Sequence, residues 1–223
     1  MLGTRFGFTA VAFFAALCFS AGLLGVPAAS SDQAFDGHRT VGVRKCATCH
    51  KKKTLGNQLA AWRAAPHARA FETLSNAESR ALAEAAGLSL PPNQAPECLR
   101  CHQTGFGLPE AAFAYEIDPA DGVQCESCHG PGRDYRKKKI MSDPKKAHAK
   151  GLFDSDDPAI CTACHNAESP TFDPERFLLA DGTRSAFDFE VAKKSITHPI
   201  PEATKGHYLE IEKKLKAQGK KVE

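Results

Sequence analysis

The chain has 223 residues, with 29 Lys and Arg against 26 Asp and Glu, nine histidines and nine cysteines. That length holds about one ordinary domain. The near balance of charge, with no aromatic platform interleaved among the basic runs, excludes a broad nucleic-acid footprint.

The first 28 residues read as a targeting sequence. Arg5 supplies positive charge, an apolar run extends from Phe6 toward Val26, and Val26-Pro27-Ala28 resembles a cleavage site. The expected organisation is a signal peptide over 1–28 and a single domain over 29–223, exported to the periplasm. The alternative is an uncleaved anchor, because the run approaches the roughly 20 residues that span a bilayer. Ser20, Gly22, Gly25 and Pro27 count against it, and a membrane is a partner only in that case. Cys18 follows the bulky Leu17 inside the run, a poor context for lipid attachment.

Ser31 to Lys45 reads as an extended lead-in, with His38 an exposed imidazole in a mobile arm. Leu55, Leu59 and Trp62 predict a helix over Leu55 to Ala65, which Pro66 interrupts just before His67. A second helix is expected over Ser75 to Ala86, with Ser75 and Glu78 as a capping box and Gly87 as the stop. Pro91, Pro92 and Pro96 extend the chain beyond it. Gly105, Gly107, Pro109, Pro119 and Gly122 mark a loop-rich stretch in which Phe113 to Ile117 reads as a short strand. Pro170 to Pro174 reads as irregular, Phe187 to Lys194 as a short amphipathic segment, and Glu202 to Gln218 as a charged C-terminal helix.

Through this runs a repeated C-x-x-C-H motif: Cys46-Cys49-His50, Cys98-Cys101-His102, Cys125-Cys128-His129 and Cys161-Cys164-His165. Two thiols at this spacing can each add to a haem vinyl group, and the next residue offers an imidazole to the iron, so the motif reads as c-type haem attachment. A zinc ribbon or a redox dithiol needs no following His, and neither does a disulfide framework. Eight of the nine cysteines lie in the motifs and the ninth, Cys18, lies in the leader. The expectation is four covalently bound haem c groups, with His50, His102, His129 and His165 as proximal ligands.

The sixth position on each iron decides function. A second strong ligand suits outer-sphere electron transfer, whereas a vacant position admits a small molecule. His38, His67, His148, His198 and His207 remain, and the only Met beyond the leader is Met141, so bis-histidine coordination is expected. Arg136-Lys137-Lys138-Lys139, with Lys145 and Lys146, reads for the most part as a solvated face; propionate pairing or docking of an acidic partner is the sharper reading.

These residues carry a resemblance. Cys125-Glu126-Ser127-Cys128-His129-Gly130-Pro131-Gly132-Arg133 closely resembles the third motif of the tetrahaem cytochrome c-554 family. Ala61-Trp62-Arg63-Ala64-Ala65-Pro66-His67-Ala68-Arg69-Ala70 is similar to its first distal-ligand segment, and Gly105-Phe106-Gly107 also matches. The resemblance implies three bis-histidine haems and an open one on the second motif. By position His67, His148 and His198 match distal ligands, with His207 close to the last, and Pro170-Thr171-Phe172 resembles the open-haem pocket. It implies a mainly α multihaem cytochrome c fold, with short helices and long loops packed around four covalent haems and few or no strands. The family is known for accepting electrons from hydroxylamine oxidoreductase. The implied function is therefore electron transfer between redox partner proteins, from a hydroxylamine oxidoreductase-like donor to a membrane-bound cytochrome, a quinone-linked acceptor or a soluble one. The alternative is reduction of nitric oxide or a related nitrogen oxide at one five-coordinate haem. No catalytic side chain is expected, since no Ser/His/Asp order, phosphate loop or paired-carboxylate cleft stands out.

Overall fold

A computed structural model describes residues 37–200 and, beyond them, Lys213 and Ala217. The expected leader, the C-terminal helix and His207 lie outside the described residues, apart from those two helical positions. All described residues belong to the compact unit Gln33–Glu223.

The architecture is mainly helical and built from short pieces. In chain order these are α1 Val43–His50, α2 Gln58–Ala64, α3 Ala70–Thr73, α4 Ala77–Ala85, α5 Pro96–His102, α6 Cys125–His129, α7 Lys138–Met141, α8 Pro144–His148, α9 Pro158–Thr162 and α10 Phe189–Ile196. Strands β1 Phe177–Leu178 and β2 Arg184–Ser185 pair antiparallel, with Phe177 opposite Ser185. Among the described residues no helix is long and apolar enough to cross a membrane.

Several boundaries differ from expectation for local reasons. The helix expected from Leu55 begins at Gln58, because Gly56 and Asn57 both take positive φ and leave Leu55 in a separate 3-10 turn. Helix α4 is capped by Asn76, whose side chain accepts the Ser79 N–H, so Ser75 is not its cap. Asn and Ser cap about equally well, and the Ser75 carbonyl is engaged by Arg80. Gly87, at φ +68°, does stop this helix: its N–H reaches the Glu84 carbonyl and the Leu88 N–H reaches Ala83. Helix α10 begins after the Asp188 cap, two residues later than expected.

The strand expected over Phe113 to Ile117 reduces to one parallel bridge between Phe113 and Thr40. The reason lies across the bridge. The N–H groups of Val41, Gly42 and Val43 donate to the side chains of Glu126 and Gln124, so no ladder can continue. From His38 on, the lead-in is therefore held in place and is no mobile arm. Thr40 and Val41 are buried, and His38 is half-buried with Nδ1 3.0 Å from Asp134 Oδ2.

The apolar core is thin. Val41 is the largest fully buried side chain among the described residues, and the one packed cluster is Tyr135, Ala147 and Leu152 with Ile140 and Met141 against it. A chain this poor in buried apolar volume draws little stability from side-chain packing alone.

Candidate functional site

Each of the four motifs is a single helical turn. Helices α1, α5 and α6 contain their whole motif, whereas α9 ends at Thr162 and its turn is completed by the His165 N–H, which donates to the Cys161 carbonyl at 2.9 Å. In such a turn residues i, i+3 and i+4 share a face, so two thiols and one imidazole project together. Prolines at the first helical positions start α5 and α9.

The fold then gathers the turns. The Cys46 thiol of the first motif lies close enough to Cys125 of the third for each to shift the other's ionisation, and Cys101 of the second stands in the same relation to Cys164 of the fourth. In the first pair the Cys125 thiol and burial push the Cys46 thiol up. Burial pushes Cys128 up to about 11, whereas the Cys164 thiol brings Cys101 down to about 7. None of the eight motif cysteines is paired in a disulfide, which leaves their sulfurs for thioethers. Motifs two and three meet at Thr104, which lies 2.8 Å from the Ser127 hydroxyl and accepts the Gln124 N–H at 2.7 Å.

Among the motif histidines and the distal candidates, three are held by Nδ1 in the described residues. His102 donates from Nδ1 to the Ala70 carbonyl at 2.7 Å and His148 to the Leu152 carbonyl at 2.8 Å. His50 Nδ1 lies 3.0 Å from Gln58 Oε1, while the Gln58 amide nitrogen donates to the carbonyls of Leu55 and Pro199. Because those acceptors fix the orientation of the Gln58 amide, the proton sits on His50 Nδ1. In all three the Nε2 lone pair is left for a metal, which is how partners of this kind orient metal-binding histidines.

Two of the three candidate distal histidines face motif histidines. His67 and His165 have ring centroids 6.2 Å apart, and His198 and His129 have theirs 5.7 Å apart. An imidazole nitrogen lies roughly 2 Å from a metal it binds, so two imidazoles on opposite sides of one iron have ring centroids about 6 Å apart. Phe187 stacks on the His165 ring at 4.7 Å. Among the described residues no ring contact joins His148 to a motif histidine. Burial holds His129 down to about 4 and lowers His67 and His198 in the same direction, keeping these rings in the neutral form that binds metal. The Nδ1 of His198 is buried without a partner. Free paired thiols, neutral imidazoles and facing rings all fit haem. Among the described residues no three His, Cys, Asp or Glu side chains converge as a separate metal cluster.

Sequence reasoning missed the groups that clasp the turns together. Glu126, inside the third motif, is buried, and its carboxylate accepts N–H groups from Val41, Gly42 and Gly132 at 2.6 to 2.9 Å. Burial pushes its carboxyl up while those donors pull it down. Tyr135 donates its hydroxyl toward the His129 and Gly130 carbonyls. Trp62 donates its indole N–H to the Val123 carbonyl at 2.8 Å, and the Val123 N–H donates to the His67 carbonyl at 3.0 Å. The resemblance included Glu126 and Trp62 as letters, but nothing local revealed what they hold.

The Pro170-Thr171-Phe172 segment lies beside the fourth motif, where Thr171, Phe172 and His165 line a cavity of about 60 Å³. An ion pair between Arg100 and Glu168 also ties this region to the second motif.

Comparison with known proteins bears on the same stretches. The family described as cytochrome c554 and c-prime matches residues 45–130, and a doubled CXXCH motif matches residues 118–170. Cytochrome c-554 of Nitrosomonas europaea is 32% identical over 149 residues, which cover 61% of this chain and 59% of that protein. The chain thus spans about three fifths of the length of this relative. The solved structure of reduced cytochrome c554 from Nitrosomonas europaea is similar with a TM-score of 0.43 and 27% identity, covering 72% of this chain and 79% of that one. The matched stretches coincide with the gathered turns, and the paired CXXCH motifs together with the similarity to cytochrome c554 indicate four covalently attached c-type haems.

Proposed function

We propose that the protein is a periplasmic electron carrier, with residues 1–28 as its export signal and 29–223 as one tetrahaem domain. It passes electrons from a redox enzyme, a hydroxylamine oxidoreductase-like donor, to a membrane-bound cytochrome, a quinone-linked acceptor or a soluble one. The observation that carries this is the facing of motif and distal imidazoles, His165 with His67 at 6.2 Å and His129 with His198 at 5.7 Å between ring centroids. When bound, haem supplies reversible one-electron chemistry at iron. The side chains hold ligands, exclude water and set local charge.

In this reading Cys46, Cys49, Cys98, Cys101, Cys125, Cys128, Cys161 and Cys164 tether the haems, and His50, His102, His129 and His165 are the proximal ligands. His198 serves the same iron as His129, and His67 the same iron as His165, as their ring spacings suggest. His148, with Nδ1 held by Leu152, is the third distal ligand. Low-temperature electron paramagnetic resonance of the holoprotein is expected to show three low-spin haems, and stopped-flow mixing with a reduced donor to show rapid haem reduction. Four haems that no donor reduces would refute electron carriage.

The Arg100–Glu168 ion pair, which lays the segment leading to Thr171 and Phe172 toward the second motif, favours a second reading. In it the second haem reduces nitric oxide or a related nitrogen oxide. A high-spin ferric signal that changes on nitric oxide addition, together with turnover, supports it; four closed low-spin haems exclude it.

A further inference from the structure

The basic run divides at its first residue. Lys137, Lys138 and Lys139 are exposed, whereas Arg136 is half-buried and its Nε is closed off from solvent without a hydrogen-bond partner. A buried guanidinium N–H without an acceptor forfeits a charge-assisted hydrogen bond and keeps its desolvation cost. The side chain is thus shaped for an acceptor that the described protein atoms do not provide.

Its surroundings indicate where such an acceptor lies. The Arg136 guanidinium carbon is 5.9 Å from the centroid of the Tyr115 ring, and its Nη2 donates to the Tyr115 hydroxyl at 3.4 Å. Lys45, immediately before Cys46, places its ammonium 4.0 Å from the centroid of the same ring. The Arg136 charge also reaches Cys46, where it opposes the Cys125 thiol and the burial that push this thiol up. Glu126 feels the same charge, but its carboxylate is already engaged by three backbone N–H groups. Two cations therefore flank one aromatic ring beside the first attachment turn, and one of them turns an unused donor inward. The group tethered at that turn carries two propionates.

We propose that Arg136, through Nε and with Lys45 beside it, binds a propionate carboxylate of the haem tethered by Cys46 and Cys49. This rests on the haem reading of the first motif. The guanidinium keeps the propionate ionised and adds positive charge close to that haem, which favours its reduced state. The exposed lysines of the run share the sign of charge but have no such contact. Arg is suited to the task by its rigid fork of donors, and Lys substitutes only in part.

The test compares holoproteins carrying Arg136→Gln, Arg136→Lys and, as a surface control, Lys138→Gln. Spectroelectrochemical titration from pH 5 to 9 follows the four haem potentials, and nuclear Overhauser contacts from the thioether protons to Cys46 identify the first haem. Arg136→Gln is expected to disfavour reduction of that haem about tenfold, equivalent to 59 mV for a one-electron couple. Its pH-dependent inflection should also move upward as the propionate loses its cation. Arg136→Lys should shift it less in the same sense, and Lys138→Gln should leave it unchanged. If the Gln variant fails to load four haems, Arg136→Lys carries the reading, because it keeps the charge while replacing the guanidinium fork, and with it the inward Nε–H, by an ammonium. An unmoved first haem, or a shift confined to another haem, overturns the assignment. The intact mass of each holoprotein separates this from failure of the haem reading, in which the added tetrapyrrole mass would itself be missing.

Discussion

Among single residues, Glu126 carries the largest structural responsibility. Three backbone N–H groups converge on its carboxylate, two from the lead-in and one from Gly132, and hydrogen bonds to a charged group each contribute about 1.5 to 3 kcal/mol. Glu126→Ala strands all three donors and is expected to cost about 3 kcal/mol or more, with Glu126→Gln losing roughly half as much. Urea unfolding of the two holoproteins measures this. Trp62 acts on a smaller scale but closer to a ligand. Trp62→Phe removes the indole bond to Val123, whose N–H holds the His67 carbonyl. A loss of about 1 kcal/mol should come with a changed low-spin signal for the haem that His67 serves, and an unaltered resonance spectrum would argue against that chain of contacts. Neither role was legible in the sequence. The partners of Glu126 within the lead-in lie more than eighty positions away, and hydrogen-bond pairing over such separations leaves no periodic trace.

At the scale of elements, the attachment turns and the helix stops were readable because both depend on neighbours within one turn. Helix α4 offers a clean measurement of such local effects. Asn76→Ala should cost about 1 kcal/mol through the lost cap. Gly87→Ala should cost about 1 to 2 kcal/mol through the left-handed backbone alone, since a Cβ there meets nothing within 4 Å. Gly122 is the contrast. It sits at φ +61° and ψ −133°, a conformation outside the left-handed helical region and open to glycine, and a Cβ would lie 2.8 Å from the His67 carbonyl oxygen, so Gly122→Ala should add displacement of the His67 segment to backbone strain of its own. Thermal unfolding of the three variants, read beside the haem spectrum, distinguishes them: only Gly122→Ala should alter the spectrum. The misplaced strand at Phe113 has a related lesson. Its pattern of residues allowed a ladder, but the facing N–H groups were claimed by Glu126 and Gln124 from elsewhere in the chain.

For the molecule as a whole, the buried imidazoles make stability depend on pH with a definite sign. His129 is held at about 4 by burial against an ordinary 6.5, and His67 and His198 shift the same way for the same reason. Between pH 6.5 and 4 the unfolded chain therefore binds protons that the folded chain refuses, so stability falls as acid is added. Iron ligation acts in the same sense, because only the neutral imidazole binds a metal, so the urea midpoint of the holoprotein should be lower at pH 5 than at pH 7.5, and equal midpoints would overturn this sign. What the sequence determined alone was chemistry confined to consecutive residues: four C-x-x-C-H turns, hence four tethered haems, and helix stops at Pro and Gly, while the predominance of short helices was implied by the family resemblance. Only the tertiary structure decided which imidazole faces which, that Arg136 turns inward while its lysine neighbours stay in water, and that Glu126 joins the lead-in to the third motif. The division follows range. A covalent motif is complete within five positions, whereas facing rings and buried carboxylates are set by how distant segments pack, and a chain with so thin an apolar core leaves little periodic signal of that packing.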